Sequence, residues 1–462
     1  MLKLDDIKSV YFIGIGGIGM SALARFFKQQ GKNVAGYDKT STALTSTLIN
    51  EGIGVSFQDD VNNIPDSFKD QSNCLVVYTP AVPVGHGELN YYRQNNFQVK
   101  KRAEVLGLLT RGMEGICVAG THGKTTISSM TAHLMRQSLV GCNAFLGGIT
   151  RNYSTNFLHD DASSYVVMEA DEFDRSFLQL TPHLALISAM DADHLDIYGD
   201  ASKVYEAFNQ FVQLINPGGA LLHKEGLPVE LPDEDVEVFT YSAKEEGDFY
   251  PFNLKQVDGI YQFNLKTPFG KIMKLQMGVP GMVNVENAVG AIGLALLAGV
   301  EEDEIRKALP EFQGIKRRFE YRIREDNLIY IDDYAHHPEE INATVSSVRA
   351  IYPNKKITVV FQPHLYTRTK DFADEFAKAL DQCDRVYLLD IYPAREEPID
   401  GVSSKMIADR MQLQHVKLLN YDDLLLDMKK NVPEVVLTLG AGDIDRLTED
   451  LEKQLKQFIR IK

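Results

Sequence analysis

Short apolar runs alternate with glycine turns and helical patterns along much of the chain. Residues 9–13 (SVYFI) form such a run, and the segment GIGGIGMSALARFFKQQG follows it. This order predicts a strand, a tight turn and a helix that ends at Gly31. Further strand and helix units continue to about residue 106, and a new strand is predicted at 116–119, directly before the segment GTHGKTT.

The carboxyl-terminal part repeats this alternation. After residue 316 the apolar runs are NLIYI, KKITVVF, RVYLLD and EVVLTLG, with helical patterns between them. Strands that alternate with helices predict an α/β fold with doubly wound sheets. Polar residues follow each run, and the carboxyl ends of parallel strands share one edge of a sheet, so we expect a binding crevice at that edge.

Composition and charge indicate the number of domains and exclude several classes of protein. A chain of 462 residues that is 44% hydrophobic should form two or three domains. Its net charge of -16 argues against nucleic-acid binding and against a basic membrane-surface protein. No apolar run approaches the roughly 20 residues that span a bilayer, and the first residues lack a signal-peptide pattern, so a cytoplasmic location is expected. The cysteines lack C-x-x-C spacing, which favours reduced structural thiols.

Two glycine-containing segments are candidates for phosphate binding. In the first, Gly14, Gly16, Gly17 and Gly19 precede a helix whose first N–H groups could bind a diphosphate, although tight turns also use glycine. Asp38 follows the next strand, where a dinucleotide-binding fold places a ribose-binding acid, but an exposed loop aspartate fits equally well.

In the second segment, GTHGKTT lies between a strand and a helix. It is shorter than the usual G-x-x-x-x-G-K-[ST] loop, yet Lys124 can still meet phosphate charge and Thr125 can still offer a hydroxyl to Mg²⁺. Nucleotide binding is therefore strongly favoured. His122 lies inside the loop, and a local backbone hydrogen bond would be a sufficient structural reason for it.

Acidic residues and a histidine follow two further predicted strands, in the segments EADE and DADHLD. Mg²⁺ prefers oxygen ligands, so Glu169 and Thr125 are natural candidates and His194 is a less obvious one. The other acids are numerous enough that several are expected to be solvated loop charges; these are Asp171, Glu172, Asp191, Asp193 and Asp196.

Taken together, the motifs resemble those of the Mur ligase family. They occur in the family's order over almost the whole chain: GTHGKTT, EADEFDRSF, DADHLDIYG, PGMVNVENAVGAIGLALLAG, GIKRRFE, DDYAHHPEEI and FQPHLYTRTKDF. The resemblance implies a Rossmann-like domain for a UDP-sugar (1–106), a central P-loop ATPase-type α/β domain (107–315) and a Rossmann-like domain for an amino acid (316–462). It also implies that ATP and Mg²⁺ drive ligation of L-alanine to UDP-N-acetylmuramate through an acyl phosphate.

The resemblance further implies a role for individual residues. For ATP these are Gly120, Thr121, His122, Gly123, Lys124, Thr125, Thr126, Asn284, Asn287 and Arg318. For the UDP-sugar they are Gly14, Ile15, Gly16, Gly17 and Gly19, and for the amino acid Tyr334, His336, His364 and Arg368. The metal ligands are Thr125, Glu169 and His194, and the catalytic set is Lys124, Glu169 and His194.

Alternatives remain at several of these positions. The two asparagines could be helix-cap residues, and Arg318 could belong to an interdomain surface pair. Where the family usually has an arginine after His364, this chain has Leu365. The competing functions are a ligase that recycles a preformed peptide, a nicotinamide oxidoreductase and a P-loop motor, and the chain is expected to be a monomer or a homodimer.

Overall fold

The computed structural model describes residues 4–191, 198–232, 235–257, 259–394 and 396–459. The chain divides into two compact units. The first comprises Met1–Lys255, Gln262–Gly278 and Val285–Gln313, and the second comprises Gln256–Tyr261, Val279–Asn284 and Gly314–Lys462. Within the described ranges, no helix is long and apolar enough to cross a membrane.

The first sheet is parallel, in the order β3-β2-β1-β4-β5. Its strands are β1 (Ser9–Ile13), β2 (Asn33–Tyr37), β3 (Gly54–Ser56), β4 (Cys74–Tyr78) and β5 (Gln98–Lys101). Its helices are α1 (Ile18–Gln29), α2 (Ala43–Asn50), α3 (Gly87–Gln94) and α4 (Arg102–Gly112). Side chains of β1 alternate between two cores, with Val10 and Phe12 on one face and Tyr11 and Ile13 on the other. The chain reverses its winding direction at β1, where parallel sheets commonly bind ligands.

The second sheet has the order β12-β11-β10-β6-β9-β7-β8 and is parallel except for the pair β7 and β8. Its strands are β6 (Glu114–Ala119), β7 (Asn143–Phe145), β8 (Phe157–Leu158), β9 (Tyr165–Ala170), β10 (Pro182–Ile187), β11 (Ala220–Lys224) and β12 (Glu237–Tyr241). The helices α5 (Lys124–Arg136) and α6 (Ala201–Val212) follow β6 and β10 along the chain. The segment after β6 therefore emerges near the middle of this sheet.

A smaller sheet follows, in the order β13-β14-β15, and its β14 and β15 are antiparallel. The strands are β13 (Tyr250–Val257), β14 (Ile260–Thr267) and β15 (Gly270–Gln276), and after them come the helices α7 (Met282–Leu297) and α8 (Glu302–Ala308).

The carboxyl-terminal sheet has the order β16-β17-β21-β18-β19-β20, with β16 antiparallel to β17. Its strands are β16 (Glu320–Glu325), β17 (Leu328–Asp333), β18 (Ile357–Phe361), β19 (Arg385–Leu388), β20 (Val416–Leu418) and β21 (Val435–Leu439). Its helices are α9 (Pro338–Ile351), α10 (Tyr366–Asp371), α11 (Ala373–Leu380), α12 (Lys405–Ala408), α13 (Tyr421–Lys430) and α14 (Asp445–Ile459). Its two faces pack into separate cores, as a doubly wound sheet requires.

The predicted α/β class and doubly wound sheets are confirmed. The four apolar runs after residue 316 are β17, β18, β19 and β21. The predicted domain boundary at 106 lies within α4, and it stays a prediction. All four cysteines are buried and free.

Candidate active site

The amino-terminal glycine loop joins β1 to α1. The N–H groups of Gly14 and Ile15 donate to the carbonyl of Tyr37 at 2.8 and 3.0 Å, so the end of the neighbouring strand β2 fixes the start of the loop. The Asp38 carboxylate accepts from the Gly16 N–H at 2.7 Å. Asp38 therefore holds the loop from within, in addition to any role toward a ribose.

The shortened phosphate loop lies between β6 and α5. Gly123 is the N-cap of α5 and has φ of +83°, a conformation that favours glycine. Lys124 and Thr125 are the first residues of the helix, whose opening N–H groups have no partners within the helix itself. Loss of two residues from the usual spacing thus leaves the helix terminus that anion binding requires.

Lys124 is held inside this loop by three oxygen atoms. Its Nζ donates to the Gly120 carbonyl at 2.6 Å and lies 3.0 Å from Glu172 Oε1 and 2.9 Å from Glu172 Oε2. The side chain of Lys124 is 16% exposed and that of Glu172 only 2%. Burial alone would lower the pKa of Lys124, but the carboxylates of Glu172 and Asp171 outweigh it and raise that pKa. The lysine is therefore a charged group in a site largely shielded from water.

This pair distinguishes one of the five acids for which the sequence gave no individual role. Glu172 is not a solvated loop charge, because it is buried and paired with the phosphate-loop lysine. Its position in EADE gave no signal of burial, because only tertiary packing brings it to Lys124.

The candidate metal ligands lie on neighbouring elements. Glu169 is on β9, which pairs with β6 in parallel, and its Oε1 accepts from the Gly147 N–H at 2.9 Å. Thr125 is a buried residue of the first turn of α5. Since one carboxylate oxygen of Glu169 is engaged by Gly147, the other suits a cation. His194 lies outside the described residues.

The phosphate loop is also tied to the segment after β10. Thr121 Oγ1 donates to Asp191 Oδ2 at 3.0 Å, and the Asp191 N–H donates back to Thr121 Oγ1 at 3.2 Å. His122 Nε2 lies 3.5 Å from the same carboxylate, and its carbonyl accepts from Ser188 Oγ. The bond from Ser188 spans 66 residues and ends on the His122 main chain, so the local hydrogen bond considered for the His122 side chain stays a prediction. Asp191 is a further residue that sequence reasoning did not assign.

The two asparagines of α7 differ in their surroundings. Asn284 Nδ2 donates to the Pro280 carbonyl at 2.6 Å, as a residue that stabilises the start of a helix does. Asn287 Oδ1 lies beside Gly123, since a Cβ added to that glycine would be 3.0 Å from it. Asn287 therefore lies against the phosphate loop. Thr126, which was also predicted to bind ATP, lies in the first turn of α5, and its side chain is half-buried.

In the second unit, Arg317 and Arg318 lie close to the Tyr334 ring. Their guanidinium carbons are 5.3 and 5.0 Å from the ring centroid. Arg317 also bonds Asp332 at 3.2 Å and the Gly440 carbonyl at 2.7 Å, whereas Arg318 is 3.9 Å from Glu340. Arg317 is thus engaged within the carboxyl-terminal sheet, and Arg318 is the more exposed of the two.

Three of the predicted amino-acid-site residues lie near one another after β17 and β18. The His336 ring is 5.3 Å from the Tyr334 ring and 5.8 Å from the His364 ring. His336 Nδ1 lies 3.0 Å from the Tyr334 carbonyl and 3.2 Å from Glu340 Oε2. Burial lowers the pKa of His336 to about 4, so the ring is neutral at pH 7. Because Nδ1 lies near two acceptor oxygens, we assign the ring proton to Nδ1, which makes Nε2 the nitrogen that can accept a hydrogen bond.

Arg368 is the fourth of these residues. It lies in α10 and is only 8% exposed, and its charge contributes to the low pKa of His336. Leu365 precedes α10 with φ of +71°, a strained conformation for a non-glycine residue. Sequence reasoning missed Tyr392, whose ring stacks on His364 at 5.8 Å and which follows β19 in the segment IYPAREEP.

Three family models match successive parts of the chain. The Mur ligase family catalytic domain matches residues 9–113, the Mur ligase middle domain 118–295 and the Mur ligase glutamate ligase domain 317–444. A relative from Phocaeicola vulgatus, UDP-N-acetylmuramate--L-alanine ligase, is 50% identical over 447 residues, which cover 96% of this chain and 97% of the relative.

Solved structures give the same fold. The UDP-N-acetylmuramate-alanine ligase of Thermotoga maritima has a TM-score of 0.80 at 27% identity and covers 98% of this chain and 100% of its own. A murein peptide ligase from Psychrobacter arcticus has a TM-score of 0.69 at 20% identity, with 97% and 98% covered, and shows the shared fold alone. From these matches, the chain belongs to the Mur ligase family.

Proposed function

We propose that this chain is an ATP-dependent ligase that joins L-alanine to the carboxylate of UDP-N-acetylmuramate, with release of ADP and phosphate. The observation that carries this proposal is the 50% identity, over nearly the whole of both chains, to a ligase named for these two substrates. The product is a precursor of peptidoglycan, and we place the reaction in the cytoplasm, where ATP is available.

Each of the three larger sheets is proposed to serve one substrate. Residues 1–106 would bind the UDP-sugar, 107–315 ATP and 316–462 the amino acid. The glycine loop after β1, the phosphate loop after β6 and the polar residues after β17 and β18 support this division, because each group lies at the carboxyl ends of parallel strands.

In the first step, an oxygen of the muramate carboxylate bonds to the γ-phosphorus as the bond to the ADP oxygen breaks. Two anions must approach each other, so the enzyme has to neutralise charge beforehand. Lys124 is fitted to this task, because its ammonium is held by Gly120 and Glu172 in a site that excludes most water. The helix terminus at α5 adds N–H groups for the phosphates.

The donor set fits Mg²⁺. Glu169 offers a carboxylate oxygen and Thr125 a hydroxyl, both of which are hard ligands, and His194 is proposed as a further ligand. When bound, Mg²⁺ would offset the charge of the phosphates during transfer.

In the second step, the neutral alanine amine attacks the acyl carbon, the tetrahedral intermediate expels phosphate, and the proton that the amine loses passes to the departing phosphate. A pKa of about 4 makes His336 a weak base, so we assign it to orienting the amine through Nε2. Arg368 would hold the alanine carboxylate through its planar donor groups, beside Tyr334 and His364.

An ADP-release assay tests the proposal. The protein is incubated with ATP, Mg²⁺ and UDP-N-acetylmuramate, and L-alanine, glycine, L-serine or a preformed peptide that begins with L-alanine is added in turn. ADP should form only when all substrates are present, fastest with L-alanine. Faster turnover with the peptide would establish the recycling reaction, and turnover without any amino acid would indicate a motor.

A variant at Lys124 supplies the control. Lys124→Ala should abolish ADP release while circular dichroism and the melting temperature show a folded protein. Near-normal turnover by the folded variant would overturn the assignment of the phosphate loop.

A further inference from the structure

A run of three basic residues lies where β5 passes into α4, in a chain whose net charge is -16. Lys100 pairs with Glu104 at 2.8 Å, and Lys101 pairs with Asp174 at 3.0 Å. Arg102 is the first residue of α4, and its Nη2 donates to Asp171 Oδ2 at 3.3 Å. Of the three, Arg102 reaches the glycine loop.

Arg102 lies directly against Gly19 in the first turn of α1. A Cβ added to Gly19 would be 2.0 Å from Arg102 Nη1 and 3.1 Å from its guanidinium carbon, so any larger residue would displace the arginine. Gly19 is therefore needed for the close approach of a cationic side chain. The guanidinium lies at the amino end of α1, where parallel α/β folds bind diphosphates.

The local structure does not by itself explain this arginine. A cation at the first position of a helix faces the positive end of the helix dipole, which is unfavourable. Its partner Asp171 is 38% exposed and Arg102 itself 24%, and partly exposed ion pairs of this kind contribute little to stability. An anion bound at the start of α1 would offset the unfavourable helix dipole and would give the arginine a partner besides Asp171.

The position of Asp38 agrees with this reasoning. Its carboxylate already accepts from the Gly16 N–H at 2.7 Å, so the early part of the loop is engaged by an acid. The N–H groups of the first turn of α1 have no partners within the helix, and this is the part of the loop that Arg102 contacts.

We propose that Arg102 binds the diphosphate of the sugar nucleotide, and that the diphosphate competes with Asp171 for the guanidinium. This inference rests on the proposed function, because it assumes a UDP-sugar at the glycine loop. The planar donors of arginine match phosphate oxygens in pairs, which a lysine cannot reproduce.

Calorimetric binding without ATP or Mg²⁺ tests the inference. The probes are UDP-N-acetylmuramate and UDP-N-acetylglucosamine, which share the diphosphate but of which only the first carries a carboxylate. Arg102→Ala should weaken both by roughly tenfold to a hundredfold, the loss of a charge-assisted pair. Arg102→Lys should recover only part of this affinity. Lys101→Ala removes a neighbouring cation and should bind both probes as the unchanged protein does.

A second variant separates binding from a structural role. If Arg102 mattered only through its pair with Asp171, Asp171→Ala would reproduce the loss, whereas the inference expects unchanged or tighter binding. Equal affinities of Arg102→Ala and the unchanged protein would overturn the inference, as would a loss confined to UDP-N-acetylmuramate, which would place the arginine on the carboxylate. If the unchanged protein binds neither probe and ligates no alanine, the proposed function itself is wrong.

Discussion

The buried pair of Lys124 and Glu172 predicts how the phosphate loop is stabilised in the absence of nucleotide. Glu172→Gln keeps the shape of the side chain but leaves the Lys124 ammonium without its closest counter-charge. Removing one partner of a buried pair costs about 3 to 5 kcal/mol, and we take the lower end because the amide oxygen still accepts a hydrogen bond. The first unit contains about 300 residues. At about 2.1 cal/mol/K per residue, a loss of about 3 kcal/mol should lower its melting temperature by about 5 °C.

Nucleotide should reverse most of this effect. In the unchanged protein the γ-phosphate competes with Glu172 for Lys124, whereas in Glu172→Gln this closest competitor has lost its charge. Saturating ATP and Mg²⁺ should therefore raise the melting temperature of the variant more than that of the unchanged protein.

The assay is a thermal melt of both proteins with and without nucleotide. Asp174→Asn is the matched control, since it removes one charge from the same segment but from an exposed pair, with 39% of the Asp174 side chain accessible. This control should change the melting temperature little. If Glu172→Gln melted like the unchanged protein without nucleotide, or if nucleotide raised both melting temperatures equally, the reasoning would be wrong.

Three further predictions concern other parts of the chain. His194→Ala should lower ligation and recover part of it at raised Mg²⁺; indifference to the metal would exclude a ligand role. Arg368→Lys should raise the KM for L-alanine by roughly tenfold or more and leave the KM for ATP unchanged, because an ammonium lacks the planar, paired N–H donors of a guanidinium. A change in the KM for the sugar nucleotide instead would assign the residue to the sugar-nucleotide site. Burial raises the pKa of Glu88 to about 7 despite its bond to Tyr11, so the folded state favours the protonated acid and loses stability as pH rises from about 4.5 to 7. Glu88→Gln should thus add up to about 3 kcal/mol to the unfolding free energy near pH 8 and nothing near pH 4, as denaturant titrations at both pH values would measure.

Much of the fold could be predicted because its signals are local. An apolar run, a glycine turn and a helical pattern follow one another within about 20 residues at β1 and α1, and the same order recurs at β6 and α5. The strands β16 and β20 were missed. Both lie at the edges of their sheet, where side chains are less buried and the apolar pattern is weaker.

The candidate site likewise contains residues that local sequence signals predict and residues that they do not. The phosphate loop, Lys124 and Thr125 were predictable, because strand, loop and helix are contiguous in the sequence. Glu172 was not, since it is 48 residues from Lys124 and its burial depends on how β9 and the segment after it pack. Tyr392 was missed for the same reason, because its partner His364 lies on a different loop.

Gly19 shows what the glycine motif alone does not predict about the site. The pattern G-x-G-x-x-G predicts that a backbone approaches a phosphate closely, and it treats each glycine as serving the ligand directly. In this chain the last of these glycines makes room for Arg102, a residue 83 positions away that no motif connects to the loop. The pattern therefore predicts where the site lies, whereas the chemistry that we propose there depends on a side chain that only the folded structure brings to the loop.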